Sequence, residues 1–107
     1  MLKNGVGLYG GFAGAESLRS QRDPAANVSI LSGEIGDPNS TSDNSYHVVI
    51  GSGTDATAVL DGFTITAGNA SGTSPASQGG GLYDNNGSPI LNNLIFLSNS
   101  AVRSMKW

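Results

Sequence analysis

The 107-residue chain has no cysteine, one histidine, one tryptophan and only five Lys or Arg. Each scarcity removes a class of chemistry. Without cysteine there is no disulfide framework, thiolate nucleophile or Cys-ligated zinc, and a lone His47 cannot form a His-based metal cluster. Lys3, Arg19, Arg22, Arg103 and Lys106 are scattered along a chain of formal net charge -3, so the basic footprint that a phosphate backbone requires is missing. Nucleic acid is not an expected partner. No window approaches the roughly 18 to 20 apolar residues of a membrane-spanning helix, and the opening Met1-Leu2-Lys3-Asn4-Gly5 leads into a strand-like run rather than a signal-peptide core. The chain is expected to hold no transmembrane segment and no export signal of its own.

Charged residues supply only 12% of the chain, whereas Gly, Ser, Asn and Thr fill 47 positions. Such a composition disfavours helix bundles, coiled coils and Rossmann-like folds, because these residues prefer turns or extended chain. Short β-branched and aromatic runs recur, which separates the chain from a flexible linker. An all-β repeat protein is expected.

Two alignments carry the repeat. Val6-Gly7-Leu8-Tyr9-Gly10-Gly11 lies over Val28-Ser29-Ile30-Leu31-Ser32-Gly33 at an offset of 22, and Val48-Val49-Ile50-Gly51 continues the pattern from Val28 at an offset of 20. These offsets predict two inward columns, Val6, Val28 and Val48 in one and Leu8, Ile30 and Ile50 in the other. Val59-Leu60-Asp61-Gly62-Phe63-Thr64-Ile65 lies over Ile90-Leu91-Asn92-Asn93-Leu94-Ile95-Phe96 at an offset of 31, and Ala70 then pairs with Ala101. A polar loop near residues 68–78 accounts for the longer spacing. Phe63 to Thr66 alternates as a half-buried strand does, while Leu94-Ile95-Phe96-Leu97 is apolar on both sides. Residues 14–26 break the pattern and read as one helical turn or a bulky loop ended by Pro24. The predicted architecture is a right-handed single-stranded parallel β-helix of about four coils spanning 1–101, with a non-repeat tail at 102–107. Asn69, Asn86 and Asn99 are candidates for an amide ladder at the bends.

Gly79-Gly80-Gly81-Leu82, followed by Phe96-Leu97-Ser98-Asn99, resembles the paired GGxI/L and FxxN repeat motifs of the polymorphic outer membrane protein family. More broadly the chain is similar to bacterial right-handed parallel β-helix surface proteins of the pectin lyase-like fold. The motif residues Gly79, Gly80, Gly81, Leu82, Phe96 and Asn99 then take structural roles. The resemblance implies a secreted or cell-surface, adhesin-like segment, with surface glycans or other surface proteins as partners. It also implies a fragment of a longer chain, whose uncapped solenoid ends are open to self-association.

The chemistry of a carbohydrate-active β-helix, the competing function, needs carboxylates that converge on one sheet face. Glu34 and Asp37 with Asp55 or Asp61 make the best grouping, but nearly all eight acids adjoin turn residues and read more simply as solvated turn carboxylates. His47 reads as a residue leading into a strand. No Gly-x-Ser-x-Gly elbow is present, and Gly79-Gly80-Gly81 lacks the Lys of a phosphate loop. No catalytic residue, cofactor or defined metal site is expected from these residues.

Overall fold

The computed structural model describes residues 1–73 and 78–101; residues 74–77 of the expected loop and the expected tail at 102–107, Trp107 included, lie outside the described residues. Ten short strands follow one another: β1 (Gly7–Tyr9), β2 (Ser29–Ser32), β3 (Val49–Ile50), β4 (Val59–Asp61), β5 (Phe63–Thr66), β6 (Asn69–Ala70), β7 (Leu82–Tyr83), β8 (Ile90–Asn92), β9 (Ile95–Leu97) and β10 (Ser100–Ala101). The described residues contain no α-helix, only a single 3-10 turn at Arg19–Gln21, so the chain is all-β. All strand pairs are parallel and fall into four small sheets, β1-β4-β8, β2-β5-β9, β3-β7 and β6-β10.

The chain visits these sheets in a recurring order. A first tier of β1, β2 and β3 is followed by β4, β5, β6 and β7, then by β8, β9 and β10, and every strand of the later tiers except β6 pairs with a strand of the preceding one. Between the second and third tiers the register is Val59 with Ile90, Leu60 with Leu91, Ile65 with Phe96 and Ala70 with Ala101. The alignment of the sequence at an offset of 31 is therefore the hydrogen-bonding register itself.

The offsets of 22 and 20 have a different meaning from the one expected. β1, β2 and β3 belong to three different sheets and do not pair with one another. Leu8 stacks on Leu60, and Ile30 on Thr64, so neither the Val6-Val28-Val48 column nor the Leu8-Ile30-Ile50 column forms. The short period measures the distance from one side of a tier to the next, not from tier to tier. Two excursions, 10–28 and 33–48, lengthen the first tier, which leaves three tiers among the described residues rather than about four.

Sharp corners make the tiers possible. Gly62 stands at φ +87° and Asn93, its counterpart in the third tier, at +51°, while Ala67 and Ser98 repeat the left-handed conformation at +63° and +56°. Gly and Asn adopt it readily, whereas at Ala67 the Cβ costs about 1 kcal/mol. The corners turn the next strand so that one side chain per strand points inward. In the second tier Leu60, Ile65, Ala70 and Leu82 are all 0% exposed, one from each of β4, β5, β6 and β7. Their counterparts in the outer tiers are less covered, Leu8 at 44% and Phe96 at 37%. In each three-stranded sheet the middle strand is the best covered, while in the two-stranded β3–β7 sheet Val49 of the first tier is buried as well, at 5%.

Ile65→Ala should lower the unfolding free energy by about 3 kcal/mol, as cavity-forming substitutions do, whereas Phe96→Ala in the same inward file should cost about 1 kcal/mol because its ring is already partly in water. Urea melts of the two variants measure the difference. Ala67→Gly should raise stability by about 0.5 kcal/mol in the same assay, the relieved Cβ strain being partly offset by the freer unfolded chain.

Candidate functional site

The motif residues Gly79, Gly80, Gly81, Leu82, Phe96 and Asn99 gather between the second and third tiers. A Cβ on Gly81 would lie 2.8 Å from Phe96 Cδ1 and 2.9 Å from Asn99 Nδ2, so the two halves of the motif meet in space. Asn99 Oδ1 accepts from the Gly68 N–H at 3.0 Å, and its Nδ2 donates to the Ile65 carbonyl at 2.9 Å. The backbones of Gly68, Gly80 and Ser100 approach so closely that a Cβ on Gly68 would collide with the Gly80 carbonyl, and one on Gly80 with that of Ser100. Leu82 fills the core. His47 lies half-buried beside this cluster, stacked on Tyr83 at 4.9 Å, with Nδ1 2.9 Å from the Gly79 carbonyl. That geometry requires the proton on Nδ1.

The asparagines do not form the expected ladder among the described residues. Asn69 Nδ2 donates to the Thr41 carbonyl and its Oδ1 accepts from Ser100 Oγ, while Asn86 occupies a bend at φ +59°. The amides of Asn69 and Asn99 are spent on backbone and hydroxyl partners where the tiers turn, and this leaves no donor aimed at another amide.

The carboxylates separate in the same way. Glu34 accepts from the Gly36 N–H, Asp37 from Asn39, Asp43 from Asp37, Asp23 from Ala25 and Ala26, and Asp55 from Thr57. Glu16 gathers three N–H groups, from Ala13, Gly14 and Ala15, and the Ala13 bond is the foremost of those holding its carboxyl below the usual range. The Thr57 hydroxyl and N–H lower Asp55 likewise. Glu34, Asp37, Asp55 and Asp61 therefore do not assemble, and no group of three His, Asp or Glu able to hold a metal ion occurs among the described residues.

Asp61 alone departs from the turn role expected of it. It lies inside β4, 7% exposed, with Arg22 Nη2 2.8 Å from Oδ1 and Asn93 Nδ2 donating to the same oxygen at 3.0 Å. Arg22 Nη1 also donates to the Gly10 carbonyl at 3.0 Å. Burial works to raise the Asp61 carboxyl, but the Asn93 amide, the Arg22 hydrogen bond and charge, and the more distant Arg19 charge together hold it below its ordinary value. The Arg19 guanidinium carbon sits over the Tyr9 ring, 4.2 Å from its centre, and that of Arg22 5.4 Å from it.

These residues come from three tiers and from the 10–28 excursion. The 3-10 turn at Arg19–Gln21, held by Gln21 Oε1 accepting from Ser17 N and Leu18 N, places both arginines against the sheet. Both sequence readings of residues 14–26 are thus partly right, a single helical turn inside a longer loop. Between this turn and the β5–β9 face lies an open cleft of about 910 Å³, floored by Phe63, Thr64, Leu94 and Ile95. Beside the cleft the Asp61 carboxylate is neutralised by Arg22, which itself lines it, so the arrangement ties tiers together rather than supplying a free base. Sequence reasoning missed this pair because Arg22 and Asp61 lie far apart in the chain, with β2 and β3 between them. The available signal was an acid inside the Val59-Leu60-Asp61 strand pattern and two of five basic residues in one excursion.

No protein-family model matches the chain, and no curated protein or solved structure is significantly similar to it.

Removing Arg22 leaves Asp61 buried with only its amide partner, and Arg22→Ala should cost about 3 kcal/mol in urea melts. A carboxyl lowered in the folded state adds stability that is fully present above about pH 4 and is lost as the pH falls through its folded value. Melts between pH 2 and 7 should therefore show a shallower acid decline in Asp61→Asn than in the parent chain.

Proposed function

We propose that the chain is a rigid segment of a right-handed parallel β-helix, acting on a secreted or cell-surface protein as a non-enzymatic, adhesin-like display arm. The observation that carries this reading is the recurring visit to the same parallel sheets in the register of Val59 on Ile90 and Ile65 on Phe96, with burial greatest in the tier that has neighbours on both sides. That order supports coiling of the tiers into a solenoid, and the general handedness of parallel crossovers supports a right-handed turn. The surface setting rests on the resemblance of Gly79-Gly80-Gly81-Leu82 and Phe96 to Asn99 to polymorphic outer membrane protein repeats. Partners on such an arm are surface glycans or surface proteins, met by outward side chains along the stack. No helix among the described residues is long and apolar enough to cross a membrane.

The carboxylate geometry supports display over cleavage. Six acids bind N–H groups of nearby turns, a seventh is locked to Arg22, and the eighth, Asp84, keeps one buried oxygen unpartnered but joins no group of three among the described residues, whereas cleavage on such a fold calls for carboxylates that converge.

The absence of cysteine makes the stack directly testable. In a Thr64→Cys/Ile95→Cys chain the two residues are register neighbours, about 4.8 Å apart, and mild oxidation should close an intramolecular disulfide. Val28→Cys/Val48→Cys, placed by the offset of 20, should stay reduced. The opposite pattern refutes the stack. Robust cleavage of any acidic or neutral polysaccharide by the parent chain, abolished in Asp55→Asn/Asp61→Asn, refutes the display role.

A further inference from the structure

The cleft between the 10–28 excursion and the β5–β9 face has two sides of different chemistry. Its floor is the flank of the stack and not an end: Ile65 points inward at 0% exposed, so alternation turns Thr64 outward, and Ile95 is the register partner of Thr64. Tiers added at either end would leave that flank in place. The floor is largely hydrocarbon, with Phe63 and Leu94 packed against the core at the corner, Ile95 outward, and Leu18 of the excursion 61% exposed on the facing lip. Ile95 belongs to the outward side of the doubly apolar Leu94–Leu97 run, which the core does not use. The wall is cationic. Arg19 and Arg22 both line the cleft and both guanidiniums reach the Tyr9 ring, yet only Arg22 has a counter-charge, Asp61. Arg19 meets no carboxylate among the described residues, and Asp23, the one acid lining the cleft, has its Oδ1 turned to the Ala25 and Ala26 N–H groups. Two like charges gathered on one ring with a single counter-charge leave a fixed positive charge beside an apolar floor, in a chain of formal net charge -3.

From this we infer that the cleft binds a segment of another protein in which an aspartate or glutamate stands beside aliphatic residues. The inference rests on the display reading above and names the class of its partner. The incoming carboxylate pairs with Arg19 without displacing an existing bond, and the Tyr9 ring already holds that guanidinium in place, which lowers the cost of ordering it. Aliphatic side chains on either side of the carboxylate cover Leu18 and Ile95, whose hydrocarbon otherwise faces water. The Ser20 and Thr64 hydroxyls line the cleft with no other bond among the described residues, and they suit the main-chain groups of an extended segment. A sugar fits less well. Its ring seeks an open aromatic face, whereas Tyr9 already carries both guanidiniums and Phe63 is packed on the core. At about 910 Å³ the cleft is of a size that encloses a few residues of such a segment.

Panning a random library of peptides about 12 residues long on the immobilised parent chain tests the cleft. The enriched sequences should share an Asp or Glu within two positions of Leu, Ile or Val. A synthetic peptide of the leading sequence should bind Arg19→Glu about tenfold more weakly than the parent chain, and Arg19→Lys about threefold more weakly, because the charge is kept but the planar fork is lost. Panning on Arg19→Glu should replace the shared acid with Lys or Arg, a change that a merely structural arginine would not produce. Ile95→Ser, on the opposite side of the cleft, should weaken the same peptide about fivefold, and it supplies an independent readout if Arg19→Glu melts early. A parent chain that enriches no shared sequence overturns the inference, as does a shared sequence without an acid or one that both the parent and Arg19→Glu select. Binding of hyaluronan with no enriched peptide overturns it too, in favour of an acidic glycan. The Thr64→Cys/Ile95→Cys pair separates the two claims: if that disulfide closes while panning enriches nothing, the stack stands and only the partner falls.

Discussion

Everything in this molecule depends on parallel backbone hydrogen bonding held in one register from tier to tier. The strands are very short, β2 and β5 being the longest at four residues, too few to be stable alone, and each gains order only by lying on the strand that precedes it in its own sheet. Once that register is set, inward side chains fall over one another, and Leu60, Ile65, Ala70 and Leu82 become a dry centre although no tier contributes more than a few apolar side chains. The energetics resemble those of a repeat protein, in which stability is a sum of interfaces and the outermost units possess only half of theirs. Leu8 and Phe96 show this in their exposure.

Much of the arrangement was legible in the sequence, and the part that misled did so for a definite reason. The alignment of Val59 to Ile65 over Ile90 to Phe96 succeeded because the second and third tiers have nearly equal lengths between matched strands, so that like residues recur at the true hydrogen-bonding distance. The alignment of Val6, Val28 and Val48 failed because each side of a tier has its own Val-x-Leu or Val-Ile pattern, and similarity between sides is indistinguishable from similarity between tiers when only spacing is read. The excursions at 10–28 and 33–48 hid the longer period by stretching the first tier, so that Gly7 of β1 finds its partner only at Val59 of β4.

The candidate site was less legible. Glycine at 79, 80 and 81 could be recognised as a motif, but the reason for it at 80 and 81, backbone passing within collision distance of Ser100 and of the Phe96 and Asn99 side chains, is a property of tiers meeting. Asp61 was assigned to a turn because glycine follows it. Its true surroundings depend on Arg22 arriving from an excursion whose course no local pattern specifies, and on Asn93 standing one register step above.

Arg22 has a mechanical consequence. A load pulling the tiers apart along the stack strains their hydrogen bonds in succession, so a short stack of this kind opens from an end. Arg22 holds the Gly10 carbonyl of the first tier and the Asp61 carboxylate of the second at the same time, and Asp61 is held in turn by Asn93 of the third. This line of bonds acts as a seam down one corner, where tension is shared by three tiers instead of falling on the outermost. Under such a load the tiers would part on sides without a seam of this kind before the stitched corner gave way.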